Sequence, residues 1–117
     1  DADNVPQQDV LTKVIGHFKD PSIAAVQGIL RSINGDENAL TKFASFEEAM
    51  RYEIYMKGKN TLNLFIYLTG SCCFIRRDAL DKVGCWDNEA LSEDMELSAR
   101  LLEGRHNIKY AMDVLNA

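Results

Sequence analysis

The chain has 117 residues, 46% hydrophobic and 26% charged, a balance that supplies one core and excludes intrinsic disorder. Its formal charge of −5, with a pI near 4.9, leaves no basic stripe to neutralise a phosphate backbone, so no nucleic-acid partner is expected. Cys72, Cys73 and Cys85 form neither an even disulfide framework nor a CxxC metal knuckle, and reduced thiols in a cytoplasmic setting are the simpler expectation.

Asp1 to Val5 reads as a loop. The chain opens on Asp1 without an initiator methionine or a signal-peptide pattern, as an internal piece of a longer protein would. Pro6 suits the first turn of a helix whose apolar positions Val10, Leu11, Val14, Ile15 and Phe18 repeat at helical spacing, and Asp20-Pro21 stops it. Ile23 to Leu30 is an apolar run short enough for a buried strand, followed by the turn signal Asn34-Gly35-Asp36. A second helix is expected from about Asn38 to Met56. Phe43, Phe46, Met50 and Ile54 lie on one face, leaving Lys42, Glu48, Arg51 and Glu53 to face water or a partner. Gly58-Lys59-Asn60 marks its end.

Leu62 to Leu68 fits a strand or a buried helical turn equally well by periodicity. The apolar stretch it opens is broken by Asn63, Thr69, Gly70 and Ser71 before reaching the roughly 20 residues that span a bilayer. A strand is expected at Ser71 to Arg76, then a short helical turn from Asp78 to Val83 closed by Gly84, then a loop at Cys85 to Asn88. Ser92 predicts the N-cap of a third helix, with Leu97 and Leu101, and Glu96 and Arg100, paired at i,i+4, and Gly104 as a left-handed C-terminal cap. Ile108 to Met112 is the last strand. This order predicts an α/β fold in which crossover helices cover the strands, in a single domain spanning residues 1–117. A nucleotide-binding α/β fold opens with βα units that hold the base; with none upstream of Asp1, nucleotide recognition is expected to be incomplete.

Two pairs of acids carry the candidate chemistry. Asp1 and Asp3, one residue apart, suit magnesium or manganese, which favour oxygen ligands and bridge to substrate phosphates. Taken alone they suit solvated positions before a helix N-terminus better, where negative charge is favourable. Glu93 and Asp94 are ordinary in the first turn of a helix, and a carboxylate there also serves as a base if it reaches an acceptor hydroxyl. Arg76 and Arg77 offer local positive charge, with at least one read as structural. His17 and His106 are isolated, with surface or core roles. Cys72 and Cys73 read as small strand residues, one facing the core.

Taken in order, Asp1-Ala2-Asp3, the Ala25-Val26-Gln27-Gly28 strand, Thr69-Gly70-Ser71 running into Arg76-Arg77-Asp78, Val83-Gly84-Cys85-Trp86-Asp87 and Ser92-Glu93-Asp94-Met95-Glu96-Leu97 resemble the family 2 glycosyltransferases, which include cellulose, chitin, hyaluronan and poly-N-acetylglucosamine synthases. The resemblance implies the C-terminal part of a GT-A fold, without its N-terminal nucleotide-binding βα units. It also implies inverting, metal-assisted transfer from a nucleotide-diphosphate sugar to a saccharide or lipid-linked acceptor. Asp3 matches the metal-binding acid of the DxD motif, with Asp1 beside it in donor or metal contacts, and the divalent metal is Mn or Mg. Asp94 matches the general base, supported by Glu93. Here the motif is Ser-Glu-Asp where many relatives have Thr-Glu-Asp.

Gly70 and Ser71 match the small-residue turn bordering a sugar, which a simple tight turn also explains. Trp86 is either a sugar-stacking residue or a partly buried packing residue. The Gln-x-x-Arg-Trp segment of processive members is absent, so processive and single transfer are both left open, and the piece alone is expected to be inactive. Many relatives carry flanking transmembrane helices, so the resemblance implies an expectation of the parent at the cytoplasmic face of a membrane. An exposed sheet edge is expected to allow homodimerisation.

Two rivals stand beside this reading. A haloacid-dehalogenase-type phosphatase would use Asp1-Ala2-Asp3-Asn4-Val5 as its nucleophile loop, with Thr69 or Ser71 and Lys82 binding phosphate, and leaves Gly84-Cys85-Trp86-Asp87 unexplained. A non-catalytic α/β interaction module would carry the acids only as solvated caps.

Overall fold

A computed structural model describes residues 4–116, so Asp1 and Asp3 lie outside the described residues. Strand β1 (Ile23–Leu30) is the centre of a three-stranded sheet of order β2-β1-β3. It pairs antiparallel with β2 (Cys73–Ile75), Gln27 opposite Cys73, and parallel with β3 (Asn107–Asn116), Gln27 opposite Tyr110. Residues 23–29 are all buried, which explains why this strand is a largely apolar run, with Gln27 within it, rather than an alternating one.

Three apolar clusters enclose the sheet. Helix α1 (Val10–His17) packs Val10 and Val14 on Val26, Ala111 and Val114. Leu68, Ala79 of helix α4 (Arg77–Lys82) and Leu97 and Leu101 of helix α5 (Glu93–Glu103) pack on Ala24 and Ala25. Tyr52, Met56 and Ile66 pack on Ile29 and Tyr110. The expected α/β class is the one observed, with helices in the crossover between the parallel strands β1 and β3. No helix among the described residues is long and apolar enough to cross a membrane.

Several local expectations are corrected. The first helix begins at Val10, because Pro6 bridges Asn116 and Gln7 N–H donates to Leu115 O, laying this segment along the end of β3. The second helix is α2 (Ala39–Ala49), which runs through π-helical turns at Met50–Met56 into α3 (Lys57–Thr61). Asn38 caps it, accepting from Leu40 N and Thr41 N, while Thr41 Oγ1 accepts from Asn38 N.

The apolar face of this long helix points outward: Phe43 is 69% exposed and Phe46, Met50 and Ile54 are exposed with it. Polar anchors set the rotation. Glu48 accepts from Ser32 N and Ser32 Oγ, Glu53 pairs with Arg31, and Tyr110 OH donates to Tyr52 O. Glu48 and Glu53, expected to face water or a partner, are the residues that tie the helix to the end of β1.

Leu62 to Leu68 is neither strand nor helix, although Ile66 and Leu68 are buried. Strand β2 is shorter than expected because Cys72, at φ 52°, turns the chain out of the ladder. Gly104 is not left-handed: its φ is −72°, and the left-handed residue is Arg105 at 58°. A Cβ at 104 would sit close, 3.0 Å from the His106 ring and 3.3 Å from Arg100 O, so a larger residue there would have to push the ring aside. The last strand runs to Asn116, well beyond Met112.

Candidate functional site around Asp94 and the Gly70 turn

Helix α5 presents Asp94 in its first turn. The helix is seated by buried Leu97, Ser98 and Leu101, and Arg100 pairs with Glu96 while donating to the carbonyls of Val83 and Cys85. The expected Leu97/Leu101 and Glu96/Arg100 pairs are therefore both present. Ser92 holds the N-cap position, but its hydroxyl makes no cap bond. It donates instead to Asp94 Oδ1 at 2.8 Å, and Met95 N donates to the same oxygen at 2.8 Å. Asp94 Oδ2 accepts none of the hydrogen bonds made among the described residues. One oxygen is thus fixed by two donors, and the other keeps its lone pairs.

Opposite Oδ2 stands the turn at Gly70. Leu68 N donates to Ser98 Oγ at 2.8 Å, Thr69 N donates to Gln27 Oε1 at 2.9 Å, and Gln27 Nε2 donates to Ser71 O at 2.9 Å. Gly70 has φ +77°, where a side chain is strained, and a Cβ placed there would lie 3.3 Å from Asp94 Oδ2. The turn also borders an open cavity of about 340 Å³ lined by Asn4, Pro6, Val10, Ser71, Phe74 and Asn116. Asn116 is 7% exposed and its Oδ1 has no hydrogen-bond partner among the described residues. Asn4, next in sequence to Asp3, lines the same cavity.

Of the expected site residues, Gly70, Ser71 and Asp94 come together. Glu93 is exposed at the start of α5 and makes no hydrogen bond to the turn. Trp86 is 39% exposed, in the loop that Arg100 ties down, and does not line the cavity beside Ser71. Arg76 is structural, donating to Phe18 O and Ile23 O with its guanidinium over the Phe18 ring, whereas Arg77 pairs with Asp81 on the surface. His17 is not isolated, because its Nε2 is 2.8 Å from Asp113 Oδ1 on β3. Among the described residues no group of three or more His, Cys, Asp or Glu is placed to hold a metal ion. The metal assignment therefore rests on Asp1 and Asp3, outside the described residues.

Both adjacent cysteines pack on core clusters rather than one alone: Cys72 against the Val26 cluster and Cys73 against the Leu97 cluster. Burial pushes the Cys72 thiol up to about 11. It also raises Cys73, with the nearby Asp94 charge acting in the same direction. Sequence reasoning assigned no role to Gln27, Ser98 or Asn116. The available signal was a glutamine inside an apolar strand, and a serine on the same helix face as Leu97 and Leu101.

Comparison with known proteins agrees with the motif order. Residues 1–114 match the family described as glycosyl transferase family group 2, and the chain belongs to that family. It is 32% identical over 94% of its length to a probable glycosyltransferase, YdaM, of Bacillus subtilis, covering 26% of that protein. It is 34% identical over 86% of its length to the beta-monoglucosyldiacylglycerol synthase of Trichormus variabilis, covering 21% of it. The poly-beta-1,6-N-acetyl-D-glucosamine synthase of Staphylococcus aureus is 29% identical over 94% of the chain, which covers 27% of that enzyme. The chain thus spans about a quarter of the length of these curated relatives. These matches lend the phosphatase reading no support. Lys82, which that reading needs beside Ser71, pairs with Asp78 on an exposed face and lines a different cavity.

Proposed function

We propose that the full-length protein transfers a sugar from a nucleotide-diphosphate sugar to a hydroxyl of a saccharide or lipid-linked acceptor, with inversion, and that Asp94 is the general base. The observation that carries the reading is the division of labour within one carboxylate. Oδ1 is held by Ser92 and Met95, and Oδ2 is open towards the Gly70 turn. In the reaction Oδ2 takes the proton of the acceptor hydroxyl as that oxygen bonds to the anomeric carbon. The bond from the anomeric carbon to the diphosphate breaks on the opposite face, and its electron pair leaves with the diphosphate.

Gly70 and Ser71 border the sugar, where lack of bulk permits close backbone approach. Asn116 Oδ1, buried and without a partner among the described residues, offers an acceptor to a sugar hydroxyl in the adjoining cavity. Glu93 supports Asp94 from the rim, and Trp86 stacks on a sugar ring. Asp1 and Asp3 would hold the divalent metal, Mn or Mg, which when bound would neutralise charge on the diphosphate.

Donor binding by the full-length protein tests the reading. A uridine-diphosphate sugar should bind in the presence of manganese, and Asp3→Ala should remove the metal dependence. Equal, metal-independent binding in the wild type and in that variant would sink the assignment.

A further inference from the structure

The turn at Gly70 owes its position to a side chain that lies outside the reacting groups. Gln27 is fully buried in β1, and its amide is satisfied at both ends. Oε1 accepts from Thr69 N at 2.9 Å, and Nε2 donates to Ser71 O and to Gly28 O, each at 2.9 Å. The ladder between β1 and β2 explains why a side chain is needed. Backbone pairing reaches Gln27 opposite Cys73, and one more bond joins Gly28 N to Cys72 O at 2.8 Å. Cys72 then leaves the strand at φ 52°. From there the Gln27 amide takes the place of a peptide group, binding the residue on each side of Gly70.

Other elements hold the same segment. Ser98 Oγ accepts from Leu68 N and donates to Asp94 O at 2.6 Å, and Tyr52 OH lies 3.2 Å from Thr69 Oγ1. Gly70 is left exposed, facing Asp94 Oδ2. We infer that Gln27 is a positioning residue for sugar transfer: its buried amide clamps Thr69 and Ser71 and thereby sets the gap between the sugar-bordering turn and Asp94 Oδ2. This rests on the glycosyltransferase reading above. A buried amide with all its hydrogen bonds made is rigid, and loss of either arm leaves an unpaired backbone group at the turn.

The test uses the full-length protein and two variants. Gln27→Met keeps the volume and removes both arms. Its kcat for sugar transfer should fall about 10- to 100-fold, the scale of a misplaced reacting group, while the donor KM is unchanged. Gln27→Glu imitates glutamine only when its carboxyl is protonated, accepting from Thr69 N and donating to Ser71 O. Its kcat should approach the wild-type value at low pH and fall as pH rises, through an ionisation absent from the wild-type profile. If Gln27→Met does not fold, the Gln27→Glu profile decides.

Wild-type kcat in both variants, or a Gln27→Glu profile parallel to the wild type, overturns the positioning role while leaving the glycosyltransferase reading intact. Absence of any sugar transfer by the wild-type protein overturns that reading, and this inference falls with it.

Discussion

Gly70 faces Asp94 so closely that the Cβ of an alanine at position 70 would stand 3.3 Å from Asp94 Oδ2. Two penalties follow from that one methyl group. At φ +77° a side chain adds about 1–2 kcal/mol of backbone strain, and relief of the contact displaces the carboxylate. Gly70→Ala in the full-length protein is therefore expected to lose transfer activity beyond what its fall in Tm explains. Wild-type kcat in a folded Gly70→Ala protein would show that the turn does not border the reacting groups.

Gly28 is a packing requirement of a different kind. A Cβ there would lie 2.5 Å from Cys72 Sγ and 2.7 Å from the backbone oxygen of Val114, and the Val114 carbonyl has no rotamer to change. Gly28→Ala is expected to destabilise the fold by about 1–3 kcal/mol through overpacking, read as a lower denaturant midpoint. A midpoint equal to wild type contradicts the packing described between β1, β2 and β3.

The three cysteines should separate by reactivity. Cys85 is exposed, while Cys72 and Cys73 are partly buried and raised by burial. Alkylation of the folded protein at mildly alkaline pH is expected at Cys85 first, since the thiolate is the reacting form. The raised Cys72 value also carries a stability consequence. Its contribution is complete below the ordinary value of 9.0 and is lost as pH rises through about 11. Cys72→Ala should remove that part of the alkaline loss, measured by denaturation from pH 8 upward.

Asp113 contributes on the acid side. Partial burial raises its carboxyl, but the hydrogen bond from His17, its backbone hydrogen bond and the nearby positive charge outweigh that, and the net shift is downward from 3.8. A depressed carboxylate stabilises the fold above its ordinary value and loses that contribution as pH falls through the depressed one. Asp113→Asn should be less stable than wild type near neutrality, and the two should converge well below pH 3.8. A constant difference across that window would assign the effect to packing.

The elements that sequence reasoning placed best are those where local pattern and tertiary burial agree. Ile23 to Leu30 is apolar except for Gln27 and is buried from Ile23 to Ile29, and the Leu97/Leu101 face of α5 is the one that packs. The rotation of the long second helix was not legible. Its apolar residues do identify a face, but the side turned inward is chosen by Glu48, Glu53 and Tyr52 through partners that lie 16 to 58 residues away.

At the site, Asp94 and Gly70 were legible as separate motifs, yet their apposition depends on contacts that no local pattern carries. Ser98 reaches back 30 residues to Leu68, and Gln27 reaches forward 42 to Thr69. The Ser92 hydroxyl was misassigned for a related reason: at an N-cap it had a choice of partners, and the carboxylate of Asp94 was available as a charged acceptor.

The most direct test of the central claim is Asp94→Asn in the full-length protein. The substitution preserves shape and removes the base, and Asp94 Oδ1 is already held in place by its neighbours. Sugar transfer is expected to fall by about 10²–10⁴-fold while binding of the nucleotide-diphosphate sugar is unchanged. Transfer at the wild-type rate by the Asn variant would contradict the account, because no general-base role for Asp94 survives that result.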